Sequence, residues 1–87
     1  RKAAQVLYRA LQAGKNAIDK GEKNSNKITA IIKEIIESEP MAVTDYVSIV
    51  DGITMMPADE ISDGTLIAIA VYIGKTRLID NFTYHSR

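Results

Sequence analysis

The sequence predicts an α+β domain in which two helices pack on a small three-stranded antiparallel sheet, in the order helix, helix, strand, strand, strand. Two segments in the first forty residues carry apolar side chains three and four positions apart, which is typical of amphipathic helices. Three later segments have the shorter period or the continuous apolar character of strands. Because no helix separates these strands, parallel crossovers and a nucleotide-binding βαβ fold are excluded.

The two helices are predicted from their apolar stripes and their end signals. The first stripe runs from Ala4 to Ile18, and Gly21 is placed to end that helix. Asn24 precedes the second stripe, and its side-chain oxygen can accept hydrogen bonds from the amides of the first turn. The second helix ends before Pro40 and is rich in isoleucine. Isoleucine is a poor helix former, so we expect burial against a sheet to stabilise this helix.

The first two strands are separated by a long loop. Residues 44–50 alternate, with Val47 and Ile49 on one face, and residues 53–64 contain a proline and several acids that favour a loop. Residues 65–73 are apolar on both faces, as expected of a central strand.

The third strand, residues 76–82, is predicted to follow a two-residue hairpin turn at Gly74 and Lys75. The tripeptide Gly74-Lys75-Thr76 is similar to the end of a phosphate-binding loop, but that motif needs a glycine where Ile69 stands. It also needs a strand that leads into a helix, so that backbone amides point at the phosphates. We therefore interpret the tripeptide as a turn.

Length and composition limit the possible functions. The 87 residues suffice for one domain, and 46% hydrophobic with 25% charged residues is an ordinary globular composition. Eleven basic and eleven acidic residues give no net charge, which argues against a nucleic-acid partner or an anionic membrane. The longest apolar run, residues 66–73, is too short to span a membrane. The absence of cysteine is compatible with a reducing compartment, and we expect a cytoplasmic location.

No complete catalytic site is visible in the sequence. His85 is the only histidine, and three neighbouring acids lack the ligand spacing of a calcium loop: Asp59, Glu60 and Asp63. Met55 and Met56, beside Ile53, form either an adaptable contact surface or the edge of the core, and both interpretations remain open.

The last strand is unusually polar. Lys75, Arg77, Asp80 and Asn81 surround its apolar residues. Charged edge strands suppress aggregation, so a purely structural role is one interpretation. The other is that these residues contact a second domain or face a cleft.

Three segments give the sequence a family resemblance. They are RKAAQVLYRAL (residues 1–11), TDYVSIVD (44–51) and AVYIGKTRLIDN (70–81), in that order. Together they resemble the C-terminal domain of the pantothenate synthetase family, the pantoate:beta-alanine ligases. Residues 52–56 and the tail, residues 82–87, depart from the family pattern.

The resemblance implies that residues 1–87 are the C-terminal lid domain of a two-domain ligase whose N-terminal nucleotide-binding domain is absent from this chain. Such an enzyme joins pantoate to beta-alanine with ATP and magnesium, through a pantoyl adenylate. Its ATP and substrate motifs belong upstream of Arg1, so no catalytic, cofactor-binding or metal-binding residue is carried over to this sequence. We expect neither ATP nor magnesium to bind the isolated domain.

Within this interpretation, Lys75 and Arg77 are expected to face the active-site cleft, since cations at a hairpin tip favour bound phosphates. Asp80 and Asn81 are expected at the interface with the N-terminal domain. Without that partner, the exposed surface favours self-association. The alternative is a binding or assembly module unrelated to ligation, which the sequence encoded upstream would distinguish.

Overall fold

The structure, a computed structural model, describes residues 5–85; the predicted helix start at Ala4 lies outside this range. The elements are two helices followed by three strands: α1 (Gln5–Asp19), α2 (Ser25–Glu37), β1 (Ala42–Asp51), β2 (Thr65–Ile73) and β3 (Thr76–Thr83). The strands form one antiparallel sheet in the order β1-β2-β3. The predicted α+β class and element order are confirmed.

The helix ends follow the predicted signals. Gly21, two residues beyond α1, has a φ of +109°, a left-handed conformation that glycine adopts without steric cost. Asn24 caps α2: its Oδ1 accepts hydrogen bonds from the amides of Asn26 (2.9 Å) and Lys27 (3.2 Å). Neither helix is long and apolar enough to cross a membrane, within the range the structure describes.

The core lies between the helices and one face of the sheet. The isoleucines at every fourth position of α2 are fully buried, as are alternate residues of the central strand: Ile28, Ile32, Ile36, Ile67, Ile69 and Val71. The two helices approach closely at Gly14, where an added Cβ would lie 3.1 Å from the side chain of Ile32. Burial therefore stabilises the isoleucine-rich helix, as its composition predicts.

The register of the sheet determines which side chains share its other face. On that face Ala70 of β2 lies between Tyr46 of β1 and Ile79 of β3. A β-bulge between Thr44 and Tyr46 makes Asp45 an extra residue in β1. We call this second face, on the side away from the helices, the open sheet face.

Residues 53–64 form a loop, as predicted, with two isolated β-bridges. The loop begins with a tight turn in which Asp51 Oδ1 accepts hydrogen bonds from the amides of Ile53 (2.8 Å) and Thr54 (2.9 Å). Met55 and Met56 are largely exposed. They therefore contribute to the surface and do not close the edge of the core.

Candidate functional site at the hairpin end of the sheet

The β2–β3 hairpin places Lys75 at its tip. Ile73 pairs with Thr76, which leaves Gly74 and Lys75 as the two turn residues, as predicted. Gly74 has a φ of +61°, and a positive φ at the first turn position is typical of a type II′ hairpin. Lys75 is exposed, and its ammonium has no ion-pair partner among residues 5–85. Its charge is therefore available to a ligand or to another domain.

Arg77 is held across the sheet by Asp45. Arg77 Nε donates a 3.0 Å hydrogen bond to Asp45 Oδ2, and its Cζ lies 5.8 Å from the ring centroid of Tyr46. The bond to Asp45 raises the pKa of the Arg77 guanidinium above its ordinary value. Because β3 and β1 are the outer strands, the guanidinium crosses β2 beside Tyr72, the register partner of Arg77. Arg77 is thus oriented, and part of its charge is compensated.

Asp80 and Asn81 occupy opposite faces of β3. Asp80 pairs with Ile69, whose side chain is on the helix side, whereas Asn81 pairs with Ala68 on the open sheet face. The Asn81 amide donates a 2.8 Å hydrogen bond to Asp80 Oδ1. Both residues border a groove of about 200 Å³ between β3 and α1. Successive residues of a strand point to opposite faces, and the register assigns Asn81 to the open sheet face and Asp80 to the helix side.

Helix α1 runs alongside β3. Its residue Tyr8 borders a groove with Asp80, whereas Asp19, at its other end, borders a groove with Tyr84 and His85. Helix α1 and strand β3 therefore run in the same direction. The N-terminal half of α1 lies beside the middle of β3.

The sequence interpretation missed Asp45 as the partner of Arg77. The two residues are 32 positions apart, and their contact depends on the bulge in β1. Asp45, the one charged residue of segment 42–50, was the available signal. Only the sheet register connects that signal to Arg77.

The polar residues at the other end of the sheet are engaged with one another. A groove of about 430 Å³ includes Lys23 and Tyr84 in its lining. Lys23 Nζ donates a 3.2 Å hydrogen bond to the Tyr84 hydroxyl and lies 4.6 Å from the ring centroid. His85 Nδ1 lies 3.9 Å from Asp63 Oδ1, and both side chains are exposed. Among the described residues that line this groove, no nucleophile with a positioned base is present.

Comparison with known proteins relates this fold to a family. The sequence profile described as "Pantoate-beta-alanine ligase" matches residues 1–83. The chain belongs to the pantoate–beta-alanine ligase family. The resemblance carried by the three sequence segments is thereby confirmed.

The relatives of this family member are full-length synthetases. The pantothenate synthetase of Clostridium botulinum (strain Langeland) is 55% identical over 84 residues, which cover 97% of this chain and 30% of the relative. That of Clostridioides difficile is 48% identical over 84 residues, with the same coverage. The crystal structure of pantothenate synthetase from Thermus thermophilus superposes with a TM-score of 0.88 at 30% identity, covering 99% of this chain and 31% of that structure. The chain thus spans about 30% of the length of the curated relatives it matches.

Magnesium, which the family resemblance implies for the complete ligase, has no fitting site in the described part of this family member. Residues 5–85 contain no group of three or more His, Asp or Glu side chains that could hold a metal ion. The acids of the loop, Asp59, Glu60 and Asp63, form no such group. We therefore assign no step of the reaction to a metal held by these residues.

Proposed function

We propose that this chain is the C-terminal domain of an ATP-dependent ligase that joins pantoate to beta-alanine, and that it acts as a lid over the active site. The observation that carries the proposal is the 55% identity to a pantothenate synthetase, of which the chain corresponds to the C-terminal 30%. The ATP and substrate sites then belong to the N-terminal domain. We also propose a cytoplasmic location, with which the absence of cysteine is compatible.

The chemistry of such a ligase explains why a lid is useful. The pantoate carboxylate displaces pyrophosphate from ATP, which forms a pantoyl adenylate. The amine of beta-alanine then attacks the acyl carbon, an amide bond forms, and AMP leaves. The mixed anhydride between these steps is sensitive to water. A domain that closes over it prevents hydrolysis and favours attack by the amine.

The hairpin is the part of this domain that we place toward the cleft. Lys75 supplies at the tip an ammonium without an ion-pair partner among residues 5–85, and it can approach phosphate groups of ATP or of the adenylate. Arg77 is oriented by Asp45 and borders the same end of the sheet. We also propose that Asp80 and Asn81 border the N-terminal domain, Asn81 from the open sheet face and Asp80 from the groove between β3 and α1. Because α1 and β3 run in the same direction, the N-terminal end of α1, where the preceding domain joins, is the end of the helix nearer to the hairpin.

The proposal is tested in the full-length enzyme by measuring AMP and pantothenate in the same reaction. A coupled ligase forms one AMP for each pantothenate. We expect Lys75→Ala to raise the KM for ATP several-fold, and we expect Lys75→Ala and Arg77→Ala to raise the ratio of AMP to pantothenate through hydrolysis of the adenylate. Lys33→Ala, on the exposed face of α2, is the matched control and should behave as wild type.

Two outcomes contradict the proposal in different ways. If the wild-type parent protein forms no pantothenate from pantoate, beta-alanine and ATP, the ligase assignment is wrong and the module without ligase activity is favoured. If the wild type is active but Lys75→Ala and Arg77→Ala match it, like the control, in KM and in product ratio, the ligase assignment stands and the placement of the hairpin is wrong.

A further inference from the structure

The open sheet face carries apolar side chains that no element in the described range covers. Val43, Tyr46, Tyr72 and Ile79 are 63%, 39%, 39% and 57% exposed, respectively. They surround Ala70, which is fully buried between Tyr46 and Ile79. Solvated faces of antiparallel sheets normally carry polar side chains. An exposed apolar cluster of this kind marks an interaction surface.

The central strand β2 is also apolar on both faces but is covered by helices on only one of them. Its helix-facing residues, Ile67, Ile69 and Val71, are fully buried, as expected for a covered face. Its other face also lacks charged residues and carries Leu66, Ala68, Ala70 and Tyr72. A strand that is apolar on both faces normally has a layer of structure on each side. Here the helices supply only one of these layers.

We propose that the second layer is the N-terminal domain of the same enzyme, which docks on the open sheet face. This inference rests on the proposed function, because it assumes that the chain upstream of Arg1 is the N-terminal domain of the ligase. The relatives are more than three times as long as the segment they share with this chain, so a large domain is available to cover the face.

Covalent linkage favours a domain of the same chain over a second copy. The upstream domain joins this one through the N-terminal end of α1, which runs along β3 with Tyr8 beside Asp80. The linker therefore keeps that domain close to the sheet. Tethering of this kind gives an effective concentration in the millimolar range, which a separate copy does not reach at ordinary protein concentrations.

The ion pair between Arg77 and Asp45 provides a polar rim for this interface. Arg77 and Asp45 lie beside the apolar side chains, and each remains more than one-third exposed. Interfaces typically combine an apolar centre with a polar, solvent-accessible rim. The cluster is thus arranged as a docking surface, with Ala70 at its centre and the ion pair beside Tyr72 at the hairpin end.

The test uses the full-length enzyme and needs no substrate. With Ile79→Cys we expect the new thiol to react with a maleimide roughly tenfold more slowly than the thiol of Lys33→Cys, because docking covers position 79 and leaves position 33 in solvent. Peptide mass spectrometry separates these thiols from any native cysteine upstream. Equal labelling rates at the two positions would overturn the proposal.

Photo-cross-linking identifies the occupant. With p-benzoyl-phenylalanine placed at Tyr72, whose side chain is already aromatic and partly exposed, we expect cross-links to peptides upstream of Arg1. Mixing isotopically heavy and light protein distinguishes links within one chain from links between copies. Mixed-isotope products would show that a second copy covers the face and would contradict the proposal, as would the absence of any cross-link.

These outcomes are separate from the test of catalysis. A protein that makes pantothenate but labels equally at positions 79 and 33 refutes the docking surface alone. A protein that makes no pantothenate but shows protection at position 79, with cross-links to the upstream chain, refutes the ligase assignment and leaves the interface in place.

Discussion

Gly52 and Gly64 are in direct contact at the base of the loop between β1 and β2. The Gly52 amide donates a 3.0 Å hydrogen bond to the Gly64 carbonyl oxygen, and a Cβ added at Gly52 would collide with that oxygen. A backbone carbonyl cannot move aside as the end of a flexible side chain can. The requirement for glycine at position 52 is therefore steric.

The first prediction concerns this contact. We expect Gly52→Ala to lower the free energy of unfolding by about 1 to 3 kcal/mol, since an added methyl group must displace backbone. Urea denaturation followed by circular dichroism measures the change. Ile53→Ala, at a neighbouring side chain that is 92% exposed, is the control and should leave the midpoint unchanged. An unchanged midpoint for Gly52→Ala would contradict the steric argument.

The second prediction distinguishes the two faces of the sheet. Ile69 and Ile79 belong to neighbouring strands, but Ile69 is fully buried against the helices and Ile79 lies on the open sheet face. We expect Ile69→Ala to cost about 2 to 5 kcal/mol, because it leaves a cavity in the core. In the isolated domain, Ile79→Ala should change the free energy of unfolding by no more than about 0.5 kcal/mol. Similar losses in the two variants would show that the open face is covered in the isolated domain.

The third prediction concerns the start of α2. Asn24→Ala removes the acceptor for two backbone amides and should lower stability by about 1 kcal/mol. Asn24→Asp keeps an acceptor and should retain most of the stability. Asn26→Ala, at an exposed position inside the helix, is the control. Thermal denaturation of the three variants tests the order, and equal melting temperatures would exclude a capping role.

The fourth prediction is a pH dependence of the loop. Hydrogen bonds from the backbone amides of Thr54 and Ile53 lower the pKa of the Asp51 carboxyl below its ordinary value of 3.8. Because the pKa is lower in the folded state, the stability it contributes is present above the ordinary value and is lost as the pH falls through the folded-state pKa. NMR titration of the Ile53 and Thr54 amide protons should give an apparent pKa below 3.8.

The variant Asp51→Asn tests whether Asp51 is the group that titrates. Asp51→Asn retains an oxygen that accepts the two amide hydrogen bonds but removes the ionisable group. We expect the amide signals of Ile53 and Thr54 to become independent of pH in this variant. If they still titrate with the same midpoint, another group controls the turn.

Most of the local structure was predictable from short stretches of sequence. Asn24, Gly21 and the Gly74-Lys75 pair each act within a few residues of their position, through capping, a left-handed φ or a tight turn. The isoleucine spacing of α2 likewise indicates a buried face without knowledge of its partner. The exposure of the Met55 and Met56 side chains was not predictable, because an apolar loop residue can turn inward or outward with little change in local backbone.

The sequence by itself determined the element order, the C-terminal ends of both helices, the cap of α2, the hairpin and the family, because these depend on local periodicity, on capping and turn residues and on similarity in chain order. Tertiary structure alone decided which face of the sheet the helices cover, that Asp45 holds Arg77, and that Asn81, not Asp80, lies on the open sheet face. The physical reason is strand register. A shift or bulge of one residue changes the face on which a side chain lies, and register is fixed by contacts between segments that are far apart in the chain.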